Sequence, residues 1–258
     1  MKKCLLILFT GLLTATGYTQ EERKPILLNK AVLSGVGLEK VERKDNPERR
    51  FFQKRLFRGD DLSAYIVSSE TGTNTFENFP IDEFIYMLNG EAKVLMGAPK
   101  EQHFFERDFF FAHKGFTGDW HIEAGSYVHY ELSVIATQRA DSSKIRPDKW
   151  HLLFDKQRLS GARIELNDNG LYEDQLVKGA ELTVLLKAEH ALEKELKNIN
   201  DDKLICLLSG QIALIDGTGE TYTFYSGDFF LLPKGLKGSW RSEGHEIIKY
   251  LQVEKTSW

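Results

Sequence analysis

Cysteine is nearly missing from this 258-residue chain: there are two, Cys4 and Cys206. Cys4 lies in a segment with the layout of a cleaved leader. The mature protein is then left with one thiol and no intramolecular disulfide, so the core must hold the fold. An excess of either charge is missing too. The 34 Lys and Arg are scattered among 38 Asp and Glu for a net charge of −4, which argues against a nucleic-acid partner. The seven histidines contain no HxH or HxxxH pair, so the usual imidazole spacing of a metal site is absent. There is also no serine–histidine–acid triad, phosphate loop, zinc ribbon or dinucleotide-binding fingerprint.

Long hydrophobic runs are lacking as well. The apolar stretch in "MKKCLLILFTGLLTATGYTQ" runs from Cys4 to Leu13, too short to span a bilayer. Following Lys2-Lys3 and preceding small and polar residues, it reads as a secretory signal over residues 1–20. Export to a periplasmic or extracellular location is expected, with no membrane span after removal of the leader.

Aromatic residues are plentiful, with 17 Phe and 9 Tyr, which suits a β-rich interior. They recur in register. "ERDFFFAHKGFTGDW" (Glu106 to Trp120) returns as "SGDFFLLPKGLKGSW" (Ser226 to Trp240). Gly59 and Gly179, Gly90 and Gly210, Asp108 and Asp228, Gly115 and Gly235, Trp120 and Trp240, and Tyr130 and Tyr250 are each 120 positions apart. Upstream, "LNKAVLSG" (Leu28 to Gly35) matches "FDKQRLSG" (Phe154 to Gly161) at an offset of 126, so the first copy carries six extra residues in its charged stretch "ERKDNPERR". The chain is a duplicated domain, with copies over 25–137 and 150–258 and a polar linker over 138–149. Within each copy the pattern is strand and turn. Asn89-Gly90 between apolar runs is a hairpin signal, repeated as Ser209-Gly210. "AEHALEKELKNIN" has helical spacing, but it aligns with "SETGTNTFENFP" and is expected to be extended. The fold class is all-β, an antiparallel sandwich or jelly roll in each copy.

These phrases resemble the cupin superfamily, and the tandem arrangement resembles the ureidoglycine aminohydrolase-type cupins. Gly227, Pro233 and Gly235 match that family's G-x5-P-x-G spacing; the first copy has Arg107, His113 and Gly115 there. The resemblance implies two tandem double-stranded β-helix (jelly-roll) barrels and, commonly, a homodimer. It also implies a divalent metal in the lumen. Carried over position by position, the ligand sites fall on Glu77, Phe79, Glu83 and Gly118 in the first copy, and on Lys197, Ile199, Lys203 and Gly238 in the second. Two ammonium groups oppose a cation in the second copy. The first retains two carboxylates, and Glu77, Glu83 and a stray imidazole such as His113 would make at most a weak divalent site. No cofactor is expected.

Glu83, in the apolar run "DEFIYML", is the candidate catalytic residue. A buried carboxyl there would be a general acid or base, whereas a carboxylate on the barrel lip would pair with Lys or Arg. Glu77, Tyr86, His113, Trp120 and Tyr130 are the candidate ligand-binding residues. His113 also reads as a turn residue replacing proline, and Trp120 and Trp240 as barrel packing. His121 and His129 are expected to point outward, opposite Val128, Tyr130 and Leu132. Asp108 and Asp228 are expected to serve turns, and Cys206 to be buried and inert. The functional expectation is an exported protein binding a small polar molecule in its first barrel. The alternatives are a hydrolase or isomerase on a small nitrogenous or sugar-like substrate, and an assembly role without catalysis.

Overall fold

The structure, a computed structural model, describes residues 23–42, 48–95, 101–124, 129–139, 151–161, 164–244 and 247–257. The leader at 1–20 and all of the linker beyond Arg139 lie outside the described residues. The first copy contains β1 (Ile26–Leu28), α1 (Lys30–Leu33), β2 (Glu39–Lys40), β3 (Phe51–Arg58), β4 (Leu62–Ser69), β5 (Gly72–Phe76), β6 (Glu83–Asn89), β7 (Glu91–Leu95), β8 (Glu101–Phe105), β9 (Phe109–Ala112), β10 (Gly118–Glu123) and β11 (His129–Ala136). The second contains β12 (Leu152–Leu153), α2 (Lys156–Ser160), β13 (Leu171–Lys178), β14 (Leu182–Glu189), β15 (Glu193–Leu196), β16 (Lys203–Ser209), β17 (Gln211–Asp216), β18 (Thr221–Tyr225), β19 (Phe229–Leu232), β20 (Gly238–Glu243) and β21 (Ile248–Lys255). The repeated "NK" and "DK" phrases open the two short helices, capped by the side chains of Asn29 and Asp155.

The strands form two jelly-roll barrels, each a large sheet facing a small one. In the first barrel the order is β12-β9-β6-β11-β4-β3-β2 against β5-β10-β7-β8; in the second it is β1-β19-β16-β21-β14-β13 against β15-β20-β17-β18. Each copy therefore gives its first strand to the other barrel. Leu28 on β1 pairs with Phe229, and Leu152 on β12 pairs with Phe111.

Period-two alternation explains how the large sheets are buried on both faces. On β6, Ile85 and Met87 point into the first lumen, and Phe84 and Tyr86 point toward the second barrel. Among the described residues three apolar clusters result, one in each lumen and the largest between the barrels. Leu62, Ile66, Leu132 and Val134 meet Leu182, Leu186, Leu251 and Val253 there. Each such side chain contributes about 1.5–3 kcal/mol by leaving water.

Two aspartates clasp this junction symmetrically. Asp82 Oδ2 accepts from the backbone N–H of Glu181 at 2.6 Å and of Leu182 at 3.4 Å, and Asp202 Oδ2 accepts from Asp61 at 2.8 Å and Leu62 at 3.2 Å. A Cβ on Gly59 would lie 2.0 Å from Asp202 Oδ2, and one on Gly179 would lie 2.1 Å from Asp82 Oδ2, which accounts for that repeated glycine.

Two sequence expectations need correcting. Asn89-Gly90 and Ser209-Gly210 are corners, not hairpins: β6 pairs with β9 and β11, while β7 pairs with β8 and β10. The glycines, at φ +94° and +93°, turn the chain from one sheet to the other. The constant offset also ends before the last strand. Met87 faces Glu131 and Leu207 faces Tyr250, so Tyr250 corresponds to Glu131, and Lys249 to Tyr130. The second copy has one residue fewer after Trp240, and a one-residue slip exchanges the faces of a strand.

Candidate functional site in the first barrel

A cavity of about 430 Å³ lies between the two sheets of the first barrel. From the small sheet and the segment after it come Phe76, Phe79, Trp120, Ile122 and Asn74; from the large sheet come Tyr65, Ser69, Glu83, His129, Glu131 and Ser133, with Arg49 and Arg139 at its margins. The wall of Phe76, Phe79 and Trp120 is a mutual ring cluster with centroids 4.9–6.2 Å apart.

Glu83 is buried and accepts a short hydrogen bond from Ser133 Oγ. Burial, and then the negative charge of Glu131, push its carboxyl up to about 8, so it is a neutral acid at pH 7. His129 Nε2 lies 3.1 Å from Glu131 Oε2 without hydrogen-bond alignment. His129 was expected to point outward; it lines the cavity and is 1% exposed. Trp120 Nε1, both ring nitrogens of His129, and Glu131 Oε2 are buried without a hydrogen-bond partner in the protein. Beneath Trp120 sits His151, brought in by the segment ahead of β12. Its ring lies 4.4 Å from Phe116 and 4.9 Å from Trp120. Burial, reinforced by the charge of His113, holds it down to about 3, and neither ring nitrogen is hydrogen-bonded.

Of the residues picked from sequence, Glu83 and Trp120 meet in this cavity. Glu77 does not: the chain turns at Asn78, φ +64°, and leaves Glu77 exposed. Tyr86 lies on the opposite face of β6, against Phe109 and Phe229. Tyr130 is likewise on the far face of β11; with Tyr86 it borders a second pocket of about 410 Å³ between the barrels. His113 packs edge-on against Phe111, away from the cavity lining. Lys197 is 82% exposed and paired with Glu195, so of the two ammonium groups only Lys203 approaches the second lumen.

Sequence reasoning missed Glu131, His129, Ser133 and Arg49. The first three lie on β11, which is buried on both faces, so apolar alternation does not say which side is the lumen. Arg49 comes from the charged stretch ahead of β3. It donates to Asn74 Oδ1 at 2.8 Å, Ser69 Oγ at 3.2 Å and the Glu70 carbonyl at 3.0 Å.

The second lumen satisfies itself. Glu189 accepts from Trp240 Nε1 at 2.6 Å, Lys194 Nζ at 3.1 Å and Tyr250 Oη at 3.4 Å, and Glu254 accepts from Lys203. Among the described residues, no buried side-chain polar atom of the second lumen lacks a partner.

The residues present do not fit the metal that the resemblance implies. Of the four family positions in the first barrel, Glu83 alone places a donor in the cavity. Among the described residues no group of three His, Cys, Asp or Glu side chains is arranged to hold an ion.

Residues 197–250 match the family model of the EutQ-like cupin domain. No curated protein matches the sequence. Among solved structures, a protein of unknown function from Pseudomonas syringae pv. tomato is similar with a TM-score of 0.62 at 17% identity, over 89% of this chain and 98% of that one. A cupin 2 conserved barrel domain protein from Leptotrichia buccalis gives 0.57 at 15% identity, over 92% and 99%. A salicylate 1,2-dioxygenase from Pseudoaminobacter salicylatoxidans gives 0.54 at 10%, over 76% and 70%. These likenesses carry the fold and no activity. The chain thus has two jelly rolls that exchange a strand, and within the second, residues 197–250 match the EutQ-like cupin domain.

Proposed function

We propose that this protein binds a small polar molecule in the lumen of its first barrel, without a resident metal, and that the second barrel is a structural partner. The observation that carries this reading is a set of buried atoms without a hydrogen bond around one cavity: Trp120 Nε1, His129 Nδ1, and the His129 Nε2 and Glu131 Oε2 that face each other as an ion pair. An unpaired buried polar group costs about 1–3 kcal/mol. A ligand that pairs several of them relieves that cost, whereas the corresponding groups of the second lumen have internal partners. The leader expected over residues 1–20 would suit a protein that meets its ligand after export.

A thermal-shift screen over sugars, ureides, acids and amines tests the reading. A ligand at about 100 times its Kd adds about 2.7 kcal/mol, which is roughly 5–10 °C for a chain of this size. Glu83→Gln and Glu131→Gln should blunt that shift. If no compound moves the wild type, or both variants respond as it does, the first lumen is not the site. Elemental analysis of the purified protein should find less than one equivalent of transition metal.

One feature favours a catalytic version. A protonated Glu83 beside the charge of Glu131 divides acid and base roles between two carboxyl groups. Such a pair suits metal-free proton transfer, as in a hydrolase of the ureidoglycine aminohydrolase type or a sugar-type isomerase. Turnover on a ligand from the screen that falls as Glu83 deprotonates would support it.

A further inference from the structure

The two lumens surround their carboxyl groups differently. In the second barrel each luminal carboxylate has its own ammonium group: Lys194 for Glu189 and Lys203 for Glu254. Lys194 Nζ also lies 4.6 Å from the centroid of the Trp240 ring. Strand register identifies the equivalents in the first barrel. Asn74 pairs with Trp120 as Lys194 pairs with Trp240, and Glu83 pairs with Ala112 as Lys203 pairs with Leu232. The first barrel thus keeps the tryptophan, loses both lysines and has two glutamates, Glu83 and Glu131, with the imidazole of His129 as the basic group nearest Glu131, Nε2 lying 3.1 Å from Oε2. Its two arginines, Arg49 and Arg139, line the cavity, and the charge of Arg139 reaches Glu83. Arg49 is held beside Ser69, which pairs with His129 at the start of β11, whereas Glu83 pairs with Ile135 near its end. Arg139 lies 3.7 Å from Glu181 across the barrel junction.

Opposite the glutamates stands the wall of Phe76, Phe79 and Trp120. Aromatic faces opposed to one buried carboxylate, that of Glu131, with the neutral acid of Glu83 beside it, favour a weakly hydrated cation, which gains from the ring quadrupoles as well as from the single negative charge. We infer that the first barrel binds a small organic cation, an alkylated ammonium group seated between the Glu83–Glu131 pair and the Phe76–Phe79–Trp120 wall, where it does what Lys194 and Lys203 do in the second barrel. The inference rests on the reading that the first lumen is a binding site, and it names the class of ligand.

Calorimetric titration of the intact protein with choline and with 3,3-dimethylbutan-1-ol tests it, because the two probes share a shape and differ by one charge. Glycerol and malonate serve as polyol and acid probes. Choline should bind at least about tenfold more tightly than the alcohol, the scale of a desolvated cation–ring contact. Glu131→Gln and Trp120→Leu, checked for native circular dichroism, should each remove most of that preference; the wild-type ratio needs no variant. Equal affinity for the alcohol, or binding of glycerol or malonate in place of choline, overturns the cation and leaves the first-lumen reading standing. Silence from all four probes also overturns the cation. Choline binding that is unchanged in both variants puts the cation elsewhere and sinks both claims.

Discussion

At the scale of residues, Glu83 couples the site to pH. Its folded-state carboxyl titrates near 8, against an ordinary value of 4.5. Below about pH 4.5 both folded and unfolded chains hold the proton, and the burial of Glu83 carries no charge penalty. Between about 4.5 and 8 the unfolded chain releases it and the folded chain does not, so stability falls as pH rises, by on the order of a few kcal/mol. Melting temperatures measured across this window should show that slope, superimposed on the other titrations, and Glu83→Gln should flatten it. An unchanged slope in the variant would mean that Glu83 is solvated in the folded protein. Glu83 was legible in the sequence because a carboxylate inside an apolar strand stands out. Glu131 was not, since its neighbours also pack toward the other barrel, Leu132 buried and Tyr130 half-buried.

At the scale of elements, the repeated glycines marked strand ends correctly, but their roles came from tertiary contacts. Asn-Gly favours a tight hairpin locally, yet two apolar sheets facing each other gain more when the chain crosses between them at Gly90. Gly59 and Gly179 stood out only as a repeated pair; they are spaces for an aspartate from the other barrel. Gly179→Ala should therefore displace Asp82 and cost about 1–3 kcal/mol in urea unfolding, an overpacking penalty. Asp82→Ala, which strands the N–H groups of Glu181 and Leu182, should cost about 2–3 kcal/mol or more. If either variant unfolds like the wild type, the clasp contributes nothing. The two β-rich copies were readable from the register of glycines and aromatics. The face of the last strand was not, because a single missing residue after Trp240 changes its parity.

At the scale of the whole molecule, the largest apolar cluster belongs to neither barrel alone. Residues 23–137 made without the rest would expose Phe84, Phe111, Leu132 and Val134, and would also lack β12 and His151. That fragment should aggregate or bind a hydrophobic dye, while co-expression with residues 138–258 should restore a soluble pair, as judged by gel filtration and near-ultraviolet circular dichroism. A fragment that is folded and monomeric by itself would contradict the shared core. The exchange of β1 and β12 also bears on synthesis. The edge strand of the first barrel is made after the rest of that barrel, and the opening strand of the second is made before any of its neighbours. A ribosome therefore cannot finish one barrel and then begin the next: Ile26–Leu28 must wait, unpaired, until Phe229 has left the exit tunnel.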